Sequence, residues 1–371
     1  MKDLSKKACV TLAHGSGGEA SHELIAKVAA YYSSSELQEM GDAALVPING
    51  DQLETSEGEL DRVASQPKSM ALAESIKPPV QQLALTTDSF VVDPLFFPGG
   101  DIGKLAVCGT VNDLLMRGAR PAYLTLGMII EEGLPFSDLE VVAQSVGEAA
   151  DQAGVRVVAG DTKVIEGQKP GGGLYLNTAG VGFFSAPYQP VPVAGLKAGD
   201  AIILSGSLGD HHAVIMSQRL GIKNNLVSDV ASLGDMVYSL RQTGIPLHAM
   251  RDVTRGGLAT VLNELAEAAG VEILLEESQI PLHDTVAGLC DMLGLDPLEM
   301  GNEGKLVLAV PDHFKEAALA TVRATENGRE AAVIGRVEAL SATRACVRLS
   351  TKIGTERLVM PLIGEGLPRI C

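Results

Sequence analysis

The chain has 371 residues, 46% hydrophobic and 20% charged, which suits about two domains and excludes an intrinsically disordered protein. Asp and Glu number 46 against 29 Lys and Arg, a net charge of −17 that repels nucleic-acid backbones and anionic membrane surfaces. Aromatic residues are 4% with no tryptophan, which removes most base-stacking platforms.

The start, Met1 to Lys7, leads into no long apolar region, and no apolar run reaches the ~18 residues of a membrane span. The five cysteines are scattered without a Cys-x-x-Cys pair, so neither a disulfide framework nor a thiolate zinc site is expected. A cytoplasmic protein is predicted. Glu19–Tyr32 carries Leu24, Ile25, Val28, Ala29 and Tyr32 at helical spacing. A strand end at Leu45–Ile48 follows, and the Glu-, Ser- and Pro-rich stretch 49–82 reads as an irregular, exposed insertion. Strands are expected at Leu83–Val92, Ala122–Ile130, Val155–Ala159 and Leu174–Phe184, with helices at Ile102–Arg117 and Ser137–Ala153.

Ser185–Asp200, with three prolines and two glycines, has linker composition. Beyond it come strands Ala201–Ser205, Val271–Glu276, Leu306–Val310 and Ala332–Val337. Helices are expected around 209–220, 229–243 and 283–292, and at Leu258–Ala269 and Asp312–Thr325. Neither half shows a regular βαβα succession, which predicts an α+β fold rather than a doubly wound sheet. The division expected is 1–185, 186–340 and a C-terminal segment 341–371 whose Pro- and Gly-rich end from Met360 is a mobile tail.

Several residues carry chemistry. The loop His14, Gly15, Ser16, Gly17, Gly18 precedes a helix, where backbone N–H groups can hold an anion; it formally resembles a dinucleotide fingerprint without the βαβ context. Asp42, Asp88, Asp113, Asp161 and Asp252 are each expected at the edge of an apolar element, and together they suggest Mg²⁺ arriving with phosphates. Taken singly, each reads more readily as a cap or turn residue, and only their number points to a metal–nucleotide site. Further polar loops are Phe97–Lys104, Arg255–Gly257 and Gly301–Lys305. The pair His211–His212 reads as a partly exposed helix start, and Cys108 and Cys290 as core. Cys371, the last residue, is either an accessible thiol or incidental.

The runs Thr86–Phe90, Phe97–Ala106, Gly109–Asp113, Gly160–Val164 and Arg251–Gly257, with His14–Gly18 and the closing Pro-Arg-Ile-Cys, stand in an order that resembles the HypE family of hydrogenase maturation proteins. That family lies within the aminoimidazole-ribotide-synthetase-like (PurM-like) ATPases. The resemblance implies two α+β domains, N-terminal domains pairing into a dimeric β-barrel, and a flexible C-terminal tail. It implies ATP and Mg²⁺, with Asp42, Asp88, Asp113 and Asp252 at the metal. His14–Gly18, Lys104, Asn112, Asp161 and Thr162 would then bind the nucleotide. Cys371 would carry a carbamoyl group, dehydrated to a thiocyanate with Lys163 stabilising charge and Glu303 taking the proton. The carbamoyl donor implied is HypF, and the cyanide acceptor is iron on a HypC–HypD complex. Other members, such as selenophosphate synthetase or thiamine-monophosphate kinase, act on free small molecules and need no terminal cysteine.

Overall fold

In a computed structural model of the chain, residues 43–47, 82–167, 171–184, 189–340 and 344–362, together with Glu23, are described. The expected helix at Glu19–Tyr32, the loop His14–Gly18, nearly all of the 49–82 insertion, Asp42 and Cys371 lie outside them.

In the first half, β1 (Ala44–Pro47), β2 (Gln82–Phe90), β5 (Arg120–Glu131), β6 (Arg156–Ile165) and β7 (Leu174–Phe183) form a five-stranded sheet in the order β1-β2-β7-β5-β6. A short hairpin pairs β3 (Phe96–Phe97) with β4 (Gly100–Asp101) and leads into helix α1 (Ile102–Met116). All pairings in the sheet are antiparallel except β5 with β6, which α2 (Phe136–Ala153) joins as a crossover. Gly154 ends α2 in the left-handed conformation, φ 68°. The expected strand at Val155–Ala159 runs on to Ile165: pairing with β5 overrides the turn preference of Gly160-Asp161.

The second half holds β8 (Asp200–Leu204), α3 (Asp210–Leu220), α4 (Gly234–Gln242), β9 (Ala249–Asp252), α5 (Gly257–Ala269), β10 (Glu272–Glu276) and α6 (Asp284–Leu293). They are followed by β11 (Leu306–Pro311), α7 (Lys315–Arg323), β12 (Ala332–Glu338), β13 (Cys346–Ser350) and β14 (Glu356–Val359). Its sheet has seven strands in the order β14-β13-β10-β12-β8-β11-β9. The sequence reading gave no strand to β9, β13 or β14.

Central strand β8 is buried along its whole length, and its side chains divide between two cores. Ile202 and Leu204 pack with Leu258, Leu262 and Leu265 of α5. Ile203 packs on the opposite face with Val237 and Leu240 of α4, Val322 of α7, and Val107, Val111 and Leu115 of α1. Helix α1, buried on nearly every side, therefore lies between the two sheets and fixes the halves against each other. Among the described residues no helix covers the far face of the five-stranded sheet, and Leu85, Tyr123 and Ile129 are exposed there.

Candidate functional site

Helix α1 begins at Asp101, whose carboxylate accepts from the N–H groups of Gly103 (2.7 Å) and Lys104 (3.2 Å). The cap aims the first turn so that Lys104 Nζ donates to Gly99 O at 3.0 Å, while Cys108 and Asn112 follow along the buried helix. Asp88 stands on the adjacent β2 and accepts from the N–H of Ser89 at 2.8 Å. From the second half, β9 delivers Asp252, and the turn after it presents Arg255. That turn depends on Gly257, at φ 64°, where a Cβ would lie 2.4 Å from Leu298 O. The loop before β11 brings Glu303, held against the turn because the Asn302 N–H donates to Val253 O at 2.9 Å.

These groups form one electrostatic cluster. Glu303 is buried, and its Oε1 has no hydrogen-bond partner among the described residues. Burial pushes its carboxyl well above the usual range, the negative charges of Asp88, Asp229 and Asp252 push it further, and Arg255 opposes them. Asp88 is raised as well, first by burial, with Arg255 and the Ser89 N–H pulling the other way. A deep site with crowded carboxyls is poised to take a cation or to hold a proton. Hard carboxylate oxygens from both halves and the orphaned Glu303 oxygen fit Mg²⁺. Among the described residues no three such groups converge tightly enough to enclose an ion.

Other expected site residues fall elsewhere. Asp113 accepts from Thr86 Oγ1 at 2.8 Å, and it lies within α1 rather than at an element edge. Asn112 spends its amide on the backbone of Ala231 and Leu233. Asp161, also expected at an edge, is in the middle of β6, where it pairs with Lys163 at 2.6 Å; both are exposed, as is Thr162. Asp161 stands level with Gly127, Asn177 and Ser89 across the sheet, so by strand alternation it projects from the face away from α1, opposite to Asp88. Within one chain, Asp161 and Lys163 are therefore apart from the Glu303 cluster. His211 and His212, expected to be partly exposed, are buried, because the start of α3 is sealed by the 228–233 segment and His211 Nδ1 bonds Ser228 Oγ at 2.7 Å.

Among the described cysteines none is a ready thiolate. Burial pushes Cys108 up to about 12 against the charge of Lys104, and Cys290 up to about 11; Cys346 is raised too. Sequence reasoning missed Asp229, which preceded an apolar run and looked like the start of a helix over 229–243; the helix begins only at Gly234.

The N-terminal and C-terminal domain models of the AIR synthase related proteins match residues 71–184 and 197–345. The carbamoyl dehydratase HypE of Rhodobacter capsulatus is 43% identical over 364 residues, 98% of each chain. A crystal structure of a hydrogenase maturation protein HypE in complex with ATP matches with TM-score 0.74 at 41% identity, over 98% of this chain and 100% of that one. A chain of a HypE–HypF complex matches with TM-score 0.77 at 37% identity, over 93% and 100%. Similar to these proteins along nearly its whole length, the chain belongs to the HypE family of carbamoyl dehydratases, PurM-like α+β enzymes of hydrogenase maturation.

Proposed function

We propose that this chain dehydrates an S-carbamoyl group on its own Cys371 to a thiocyanate at the expense of ATP, supplying cyanide for the iron of a [NiFe]-hydrogenase. The observation that carries the reading is the buried, orphaned carboxyl of Glu303 amid Asp88, Asp252 and Arg255. An amide oxygen is a poor leaving group. The carbamoyl oxygen therefore attacks the γ-phosphorus, the bond to ADP breaks, and the oxygen leaves as phosphate while the nitrogen loses its protons and C≡N forms. A carboxyl whose proton affinity is raised by burial is a competent acceptor for such a proton. Arg255, a cation acting on both Asp88 and Glu303, offsets negative charge where phosphate would enter. Mg²⁺ held by Asp88 and Asp252, with Asp113 and Asp42 as further candidate ligands, would supply neutralisation of the triphosphate charge. Nucleotide contacts are assigned to Lys104 at the capped start of α1 and to the His14–Gly18 loop. Burial raises the thiols of Cys108, Cys290 and Cys346, which disfavours them as the nucleophile, and the resemblance of the closing Pro-Arg-Ile-Cys to the family favours Cys371.

The active form is proposed to be a homodimer whose N-terminal sheets meet in a barrel. Support comes from the face away from α1, where among the described residues Leu85, Tyr123 and Ile129 are exposed, and from edge strand β6, exposed throughout and bearing Val157, Val158, Val164 and Ile165. Asp161, Thr162 and Lys163 sit on that edge strand, so their roles in nucleotide binding and charge stabilisation would be exercised across the dimer. The carbamoyl donor is taken to be HypF and the acceptor an iron-bearing HypC–HypD complex, in the cytoplasm. No described helix is long and apolar enough to cross a membrane.

Intact-mass measurement tests the reading. After carbamoylation by the donor system, Mg²⁺-ATP should remove one water, about 18 Da, from the adduct on Cys371. An adduct that survives in Cys371→Ala, or one that never loses water, would overturn it.

A further inference from the structure

The loop that carries Glu303 makes no continuous ladder, and its glycine is forced. A Cβ on Gly304 would lie 1.9 Å from Asp229 O, so the 229–231 and 303–305 segments pack backbone against backbone. Asp229 sits at this contact with its side chain 3% exposed. One carboxylate oxygen accepts the N–H of Glu303 at 3.2 Å, the other accepts the N–H of Gly304 at 3.2 Å, and Lys305 Nζ is 3.5 Å away. In return, Glu303 O accepts the N–H of Ala231 at 3.3 Å. The same segment is tied to α1 through Asn112 and to the Phe97–Lys104 loop, where Pro98 O accepts the N–H of Ser228 at 2.8 Å.

We propose that Asp229 is a positioning residue: by gripping both backbone N–H groups at 303–304, it holds the Glu303 carboxyl at a set distance from α1 and Asp88. The inference rests on the reading of Glu303 as the proton acceptor. An aspartate suits the task because it is acceptor-only and takes two donors at once, which a buried asparagine cannot do without turning its own N–H₂ toward one of them. A misplacement of about 1 Å at a proton acceptor is enough to cost ~100-fold in rate, so the grip matters to chemistry more than to nucleotide affinity.

The test is a double-mutant cycle on the full-length carbamoylated chain, with single-turnover loss of water read by mass and Mg²⁺-ATP affinity read by calorimetry. Asp229→Asn should slow dehydration by about tenfold or more while ATP affinity stays within about twofold. In the Glu303→Gln background it should add no further slowing. Equal slowing in both backgrounds, or a loss confined to ATP affinity, would overturn the positioning role. A Glu303→Gln protein that retains full rate would instead remove the proton-acceptor reading itself, whereas a fully active Asp229→Asn beside an inactive Glu303→Gln removes only the proposal. Should Asp229→Asn not fold, amide hydrogen exchange of the native chain decides. Glu303 and Gly304 should exchange as slowly as the core of β11, and fast exchange there overturns the grip.

Discussion

Asn112, from the first half of the chain, clasps Leu233 from the second: the Leu233 N–H donates to its Oδ1 at 2.9 Å while its Nδ2 donates to Ala231 O at 3.0 Å. Both partners are backbone groups in a segment without regular structure, and the amide is buried. Asn112→Ala should therefore cost about 1–3 kcal/mol, the range for leaving a buried donor unsatisfied. Denaturant unfolding measures it, and a change below about 0.5 kcal/mol would mean that water replaces the amide freely.

His283 ties the start of α6 to α3 and to the turn before β12, with Nδ1 2.9 Å from Asp210 and Nε2 3.1 Å from Glu330. Burial alone would lower its pKa, but hydrogen bonds and charge from both carboxylates outweigh that and raise it above 6.5. The folded state thus binds the proton more tightly than the unfolded one. The stabilisation is fully present below pH 6.5 and is lost as pH rises through the folded value. The imidazole is nearly half exposed, so screening limits the effect to a few tenths of a kcal/mol. Melting temperatures between pH 6 and 8 should fall more in the native chain than in His283→Gln; parallel curves would refute the linkage.

His212 behaves in the opposite sense. Burial first, then the charges of His211 and Arg219, push it down to about 3, so it is folded as the neutral imidazole. Unfolding lets it take a proton below pH 6.5, and stability should drop steadily from there toward pH 3, by an amount on the order of a few kcal/mol. His212→Gln should flatten that part of the profile. An unchanged acid limb in the variant would assign the loss to other groups.

How much of this was legible beforehand follows from what periodicity can report. Helix α1 was readable because apolar residues recur across a stretch too long for a strand, and strand β8 because its apolar run is short and continuous. Strand β13 was not: its Arg348 side chain meets Glu272 of adjacent β10, Glu338 of β12 one strand further on and Glu356 of adjacent β14, and a charge stabilised by distant partners looks locally like a loop. The acidic cluster was visible residue by residue, as Asp88, Asp252 and Glu303, because each sits in a Gly-bearing or polar run. Which of the aspartates meet was not visible, since facing depends on strand register. Asp161 and Asp88 both lie on the five-stranded sheet, yet alternation sends them to opposite faces.

Asp88 is the position where the metal reading meets its most direct test. Its carboxyl is raised by burial and repels the buried Glu303, so the two acidic groups crowd one another. Asp88→Asn keeps the size and one oxygen while removing a charge. Without nucleotide the variant should be as stable as the native chain or slightly more so, because one of several crowded like charges is gone. With Mg²⁺-ATP the order should reverse. A divalent cation placed between the carboxylates and the triphosphate loses a ligand, and affinity should fall by about tenfold or more, an equilibrium cost of ~1.4 kcal/mol. Chelation of Mg²⁺ should bring the two proteins to the same weak ATP affinity, since the difference between them acts through the ion. Calorimetric titration of both proteins, with and without chelator, checks each arm. If Asp88→Asn binds Mg²⁺-ATP as tightly as the native chain, the carboxylate serves only its hydrogen bond to Ser89, and the metal assignment at this position falls.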